Sequence, residues 1–443
     1  MHSFISRYCL IFCLLIFSGC LQAEIRTVDS AVVSTELLDT VGALKVISSS
    51  SAGVPGNASS GDMHITPDGH YAAFCSNSTN LTSDAVTSGG HAFLKDLRSG
   101  SIRIIDFNSS GVLSNGTANC QQVGISDDGN SVMWVGNPTN FGTGTAVSEV
   151  FVKNIATGVI TIASTDVNGV SATTNSFNSQ ISADGRYVFF ISSATNLLAG
   201  LNGSIQVFRK DLSTASIIAV NVDSAGTLLG NTWCFDASID GLSVIFEKPS
   251  NVPDISLLHN IISTTTTTFT TSSTGVTANG DSTPACNIHT LHNGNNLAFT
   301  SLATNLDGGN GAIGHVFVKN MISGQVQMVD KSAAGVVANA TSLYYAYSVS
   351  RDGTKVLFNS NATNLVTGVS GTQIYLKNLV DNSIIPVSTN SSGIIQNFGS
   401  TSYDQPMIFM MSDRYVSFSS TASNLDPSVT TTANVQLYLK RLQ

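Results

Sequence analysis

The chain is poor in charge. Of 443 residues, 19 are Lys or Arg and 28 are Asp or Glu, and the basic residues form no cluster. A net charge of -9 with no basic stripe repels a phosphate backbone, which argues against nucleic acid as a partner. Long charged runs are absent too, so there is no polyelectrolyte tail. Strong helix formers are scarce beside Ser, Thr, Asn, Gly and the β-branched residues, and that balance points to an all-β protein. The sequence has no Cys-x-x-Cys, no Gly-x-Ser-x-Gly and no His-Glu-x-x-His. It therefore assigns no catalytic residue, no metal and no cofactor.

Long apolar runs are missing except at the start. Arg7 precedes an apolar run over residues 8–17, which has signal-peptide length and falls short of the ~20 apolar residues a membrane span needs. Two cleavage readings compete. Phe17-Ser18-Gly19-Cys20 resembles a lipoprotein lipobox, with Phe17 where Leu is usual, and would place lipid on Cys20. Cleavage after Ala23 would instead discard Cys20. The lipobox is preferred because the apolar run ends directly before Ser-Gly-Cys, and Leu21 after the Cys resembles lipoproteins sent to the outer membrane. Residues 1–20 are thus read as a signal peptide, 21–42 as a linker and 43–443 as the folded domain.

What the chain has is repetition. ISADGRYVFFISSATNLLAG (181–200) reads as two antiparallel strands joined at Asp184-Gly185. Related stretches place turn glycines at 69, 129, 185, 241, 294 and 353, spaced 53 to 60 residues apart, and a seventh copy has Asp413-Arg414 at the turn. Each copy has a second half such as HAFLKDLRSGSIRIIDF or QVFRKDLSTASIIAVNV, again two strands around a polar turn. The fourth is degenerate, with SLLHNII and a Thr run that suits a strand facing water. Four strands per unit is the blade of a β-propeller. The last copy stops at QLYLKRLQ, one strand short, and ALKVISSSSAG at 43–53 has the missing pattern. Hence the expectation is one seven-bladed propeller of four-stranded blades, closed by residues 43–50.

Most conspicuous residues repeat with the blades, which favours scaffold roles. Asp-Gly between apolar strands signals a two-residue type I′ turn rather than a Ca²⁺ site, which would need many more oxygen ligands. Asn80, Asn196, Asn305, Asn364 and Asn424, each before a Leu, are read as loop caps, with a ring of sugar-binding amides as the alternative. The Lys-Asp or Lys-Asn pairs at 95, 153, 210, 319 and 377 are read as turn chemistry.

The pieces S-x-D-G-[RH]-Y-V-x-F-x-S and V-F-V-K-D/N-L resemble the WD-repeat-like propellers of the TolB type, found in exported bacterial proteins. The resemblance spans residues 43–443 and implies the propeller fold. TolB also carries a domain ahead of its propeller, whereas only residues 21–42 precede this one.

Function belongs where the repeats diverge. Segments 107–123, 166–179, 223–236, 274–289, 332–347 and 390–407 share a Gly-[Val/Thr/Ile] theme and then differ as they enter the inner strands. The channel-mouth candidates are His64, Gln122, Gln180, Trp233, Asp236, His289, Tyr345 and Tyr347, a mixture that suits a glycan or peptide; filling of the channel mouth is the alternative. Cys75, Cys120, Cys234 and Cys286 lie at neighbouring positions, so Cys75–Cys120 and Cys234–Cys286 are the expected disulfides. The expected role is a monomeric, non-enzymatic binding or scaffolding propeller of the bacterial envelope, in the periplasm or as an outer-membrane lipoprotein. Its ligand would be a protein or glycan, and its only membrane contact a lipid anchor. The alternatives are a polysaccharide lyase or hydrolase using the channel, or a secreted factor acting on a host surface.

Overall fold

Seven four-stranded antiparallel sheets hold every strand among the described residues of the computed structural model. These are residue 38 and residues 40–442, apart from 85, 87–89, 109, 117–119, 142–146, 249–253, 285–294, 310, 398–407, 413 and 431. Blade 3 shows the unit. Ser176–Ile181 is its inner strand, followed outward by Tyr187–Ser192, Gln206–Asp211 and Ile217–Ala219. Six blades use consecutive strands. In the seventh, Ile408–Ser412, Tyr415–Ser420 and Gln436–Arg441 come from the C-terminal end, and Leu44–Val46 supplies the outer strand. The register is Leu44↔Lys440, Lys45↔Leu439 and Val46↔Tyr438, and Ile47 N–H extends it to the Leu437 carbonyl at 2.7 Å. The ring thus closes with the strand expected to close it, and Gln436–Arg441 of the last blade has its outer edge covered.

The second and third strands of each blade are apolar on both faces because neighbouring blades cover both. At one register position the two strands carry facing aromatic rings. Phe74–Phe93, Trp134–Phe151, Phe190–Phe208, Phe299–Phe317, Phe358–Tyr375 and Phe418–Tyr438 stack with centroids 5.3–5.7 Å apart. Blade 4 has Phe246 opposite Leu257 instead. Buried clusters then join blade to blade, as where Met133, Val135 and Val150 of blade 2 meet Val188 and Phe190 of blade 3. The Thr run forms the outer strand of blade 4, Thr265–Thr268, alternately exposed and half-buried.

The Asp-Gly hairpin is longer than the two-residue turn expected. Ser182 N–H bonds the Tyr187 carbonyl and Gly185 N–H bonds the Ser182 carbonyl, so residues 183–186 form the loop. Gly185 has φ 71°, while Asp184 is not among the residues of positive φ. This is a type I turn ending on a left-handed Gly, which loops of four residues favour. Asp184 accepts from the Ser182 hydroxyl at 2.6 Å and from Arg186 N–H at 3.0 Å. The carboxylate caps the turn rather than bending it.

The Lys-Asp and Lys-Asn pairs divide into two jobs. The Asp or Asn caps the turn, as Asp96 does for the N–H groups of Arg98 and Ser99. The Lys reaches into the preceding blade. Lys95 donates to the carbonyls of Ile47 (3.0 Å) and Ser49 (2.6 Å), Lys153 to those of Ile105 and Phe107, and Lys210 to those of Thr165 and Asp166. Lys319, Lys377 and Lys440 do the same to Thr271, Lys331 and Thr389. In blade 4 His259 takes the position. Its Nδ1 meets the Thr266 hydroxyl at 2.8 Å, and that hydroxyl donates to the Val222 carbonyl at 2.7 Å.

The Asn side chains are clamps. The amides of Asn80, Asn140, Asn196, Asn305, Asn364 and Asn424 donate to the carbonyls of Pro55, Leu113, Ser171, Thr277, Val337 and Ile395, tying the second-strand exits of six blades to the segments that cross between blades. This spends the amides that a sugar-binding ring would need.

Candidate binding site at the channel mouth

The inner strands surround the channel, and the segments that enter them form one mouth. Of the expected site residues on these strands, four have polar atoms that tie blade to blade. His64 Nδ1 accepts the Ile125 N–H of blade 2 at 3.0 Å. Gln180 Oε1 accepts the Ala237 N–H of blade 4 at 2.7 Å, and its amide donates to Asp236 Oδ1 at 2.8 Å. Gln180 is 1% exposed and Asp236 0%. Gly124 holds the equivalent position in blade 2, where a Cβ would come within 3.0 Å of Met133 and 3.2 Å of Ile181. Gln122, two residues earlier, provides that tie, accepting the Ser179 N–H at 2.5 Å.

Trp233 is different. It is 59% exposed, just before the inner strand Phe235–Ala237 of blade 4. Its ring lies beside half-buried Phe177 of blade 3, with centroids 6.2 Å apart and planes 32° apart. Asn178 donates its amide to the Trp233 carbonyl at 3.0 Å, which fixes the base of the loop. An aromatic body held on one side and open on the other is a stacking platform.

His289 lies outside the described residues. Tyr345 and Tyr347 are on the inner strand of blade 6, Ser342–Val349, and their side chains lie outside the described part. Cys75 and Cys120 form a disulfide between blades 1 and 2, with Cα atoms 5.5 Å apart. Cys234 is disulfide-bonded too. Cys286 and Cys20 lie outside the described residues.

Sequence reasoning passed over Asp62, Phe177 and Asn178. Asp62 and Asn178 occupy the same repeat position, and both have positive φ, 41° and 48°. In each strand the ladder slips at that point, between Gly61 and Met63 and between Phe177 and Gln180. Comparing the copies position by position would have exposed them, because a bulge residue departs from the period-two pattern.

The opposite mouth is bridged. Arg351 Nη2 lies 2.9 Å from Asp127 Oδ2, and these residues sit on the turns of blades 6 and 2, which are not neighbours. The ion pair therefore crosses the channel at the face of the Asp-Gly turns.

Two buried His–Asp pairs have an enzyme-like appearance. His91 Nδ1 lies 2.8 Å from Asp106 Oδ2, and His315 Nδ1 lies 2.9 Å from Asp330 Oδ2, with Ser114 and Ser342 donating to the same carboxylates. Both open a third strand in the outer half of a blade. Gln373–Ser388 and Gln436–Ser48 occupy the same place in blades 6 and 7. The pairs are variants of one blade joint.

No family model and no curated protein matches the sequence. Solved structures do match in shape. An oligogalacturonate lyase in complex with manganese superposes with a TM-score of 0.54 at 12% identity, over 90% of this chain and 95% of its own. An oligogalacturonate lyase from Vibrio parahaemolyticus gives 0.54 at 11%, over 90% and 97%. The β-propeller domain of the Trilobed protease from Pyrococcus furiosus gives 0.51 at 11%, over 88% and 96%. What they share with this chain is the propeller. At such identities the likeness shows the fold alone. TolB from Acinetobacter baumannii overlaps 61% of the chain at 17% identity with a TM-score of 0.35, too loose a superposition to bear on role. The Pyrococcus domain is described as having an open velcro topology; here the N-terminal strand completes the last blade.

Proposed function

We propose that this is an exported binding propeller whose ligand is a glycan, taken at the mouth lined by the segments between blades. The observation that carries the reading is Trp233, an exposed indole seated on Phe177 and anchored by Asn178. A pyranose ring presents apolar C–H faces to such a platform, and the Ser, Thr and Asn groups of the crossing segments suit its hydroxyls. The protein or peptide ligand is the less favoured reading, because among the described residues the exposed aromatic surface at this mouth is the small Trp233–Phe177 pair rather than a broad apolar patch.

Export is supported by the leader and by the Cys75–Cys120 disulfide, a bond that persists in oxidising compartments. The structural resemblance to lyases extends to the fold alone, and the two buried His–Asp pairs among the described residues are blade joints. Binding to an immobilised glycan panel tests the reading. Trp233→Ala should lower affinity about tenfold, as expected for a lost aromatic anchor, with an unchanged melting temperature. Equal binding by wild type and variant would refute it. Lipid on Cys20 is tested separately: labelled palmitate should enter the wild type and not Cys20→Ala.

A further inference from the structure

We propose that Asp62 is the receptor in the channel wall for a protonated amine, and that the bound glycan carries one. The inference rests on the glycan reading above.

Asp62 stands on Ser60–Ile65, the inner strand of blade 1. The slip in the ladder between Gly61 and Met63 leaves it unpaired in a bulge, with φ 41°. A short polar residue tolerates that conformation, and the bulge takes the side chain out of the strand's alternation. It is partly exposed on the strand nearest the axis.

Its counterparts in blades 2, 3 and 4 are engaged. Gln122 holds the Ser179 N–H, Asn178 holds the Trp233 carbonyl, and Cys234 is in a disulfide. Among the described residues nothing donates to the Asp62 carboxylate. Where two sibling blades place a neutral amide with a job, blade 1 places an acid without one. Burial pushes that carboxyl up to about 7, with no opposing charge or hydrogen bond to lower it. The fold gives this ionisable group no internal partner among the described residues. A cation from outside would favour the charged form and form a charge-assisted hydrogen bond.

The chemistry narrows the class. One carboxylate does not supply the six to eight oxygens Ca²⁺ takes, or the three or four ligands of Zn²⁺. An ammonium brings one charge and three donors, which a single carboxylate can receive. The net charge of -9 attracts cations and repels uronic acids. Blades 1 and 4 are three places apart in the ring of seven, so a ligand that uses both Trp233 and Asp62 has to span the mouth.

Trp233 is a built-in reporter, since the other tryptophan, Trp134, is fully buried. Its fluorescence is to be titrated at neutral pH with glucosamine tetramer, the N-acetylglucosamine tetramer and trilysine. The wild type should bind the free-amine tetramer about tenfold tighter than the acetylated one, the value of one hydrogen bond to a charged group. Asp62→Asn should abolish that preference and leave the acetylated tetramer's affinity unchanged. Equal affinity for the two tetramers, or a preference that survives in Asp62→Asn, overturns the amine receptor while leaving the glycan reading intact. Asp62-dependent binding of trilysine without binding of either tetramer keeps the receptor and refutes the glycan. No binding by any probe overturns both.

Discussion

Buried lysines hold the joints between blades. Each takes an ammonium out of water and returns hydrogen bonds to carbonyls of the blade before it. Burial lowers the Lys95 ammonium to about 7, helped by the charge of Lys45, and lowers Lys440 to about 8. The neutral amine is therefore easier to bury than the ion, yet it still donates. Removing Lys95 leaves the Ser49 carbonyl without a donor and the Ile47 carbonyl with the Ser49 N–H alone, at about 1–3 kcal/mol for a group that water cannot reach. Relief of the buried charge offsets part of this, so Lys95→Met should cost about 2 kcal/mol at pH 7. The sign of the pH effect follows from linkage. Above about 7 the unfolded chain, with its ordinary lysine, binds more protons than the folded one, so this group's contribution rises with pH until the unfolded lysine also titrates. Denaturant unfolding should show the wild type's margin over Lys95→Met widening between pH 7 and 10. A margin that narrows would contradict the assignment. Asp62 works the other way. Its folded value is raised, so its contribution is present below the ordinary carboxylate range and is lost as pH rises to about 7. Asp62→Asn should melt like wild type near pH 4 and higher than wild type at pH 8; a wild type that melts higher at pH 8 would mean that Asp62 has an internal partner.

Blade 4 shows what an element loses when the repeat decays. It lacks the facing aromatic pair, having Leu257 opposite Phe246, and it reaches blade 3 through the His259–Thr266–Val222 relay in place of a lysine. The relay reaches one carbonyl of blade 3, where a lysine such as Lys95 or Lys210 meets two of the blade before it. Amide hydrogen exchange should therefore be faster in Thr265–Thr268 than in Val326–Met328, the corresponding strand of blade 5. Equal protection would mean that the relay holds as well as the clasp. The blades, their four strands and the decay of the fourth were all legible in the sequence, because apolar alternation and turn residues recur with a fixed period. The role of the lysines was not. Lys95 and its acceptors Ile47 and Ser49 lie more than forty residues apart, and only the curvature of the ring brings them together. The turn was misjudged for a local reason. Asp-Gly is compatible with both a two-residue and a four-residue loop, and the Ser182–Tyr187 pairing decides between them. Of the candidate site residues, Trp233 is exposed at the mouth, whereas His64, Gln122, Gln180 and Asp236 looked available and serve as ties. Nothing in their types distinguishes an amide facing a channel from one facing the next blade.

At the scale of the whole molecule, the ring depends on its first strand. Leu44–Val46 covers the edge of Gln436–Arg441, and residues 47 and 49 are the acceptors for Lys95 of blade 1. Deleting residues 38–50 removes the outer strand of the last blade and the acceptors of the first at once. The truncated chain should aggregate or associate through the exposed edge, which size-exclusion chromatography with light scattering would show. A stable monomer would mean that closure contributes little. The Cys75–Cys120 disulfide lies one joint further on and reinforces the same side of the ring. The central claim is that repeated residues build the ring and that a departure from repetition does the binding. The most direct measurement sets one of each side by side. Asn196→Ala removes a clamp to the Ser171 carbonyl, and Trp233→Ala removes the platform. Melting temperature and affinity for the best ligand of the glycan panel are read for both. Asn196→Ala should lower the melting temperature and keep the affinity; Trp233→Ala should keep the melting temperature and lose the affinity. A Trp233→Ala protein that melts early and binds normally would contradict the account.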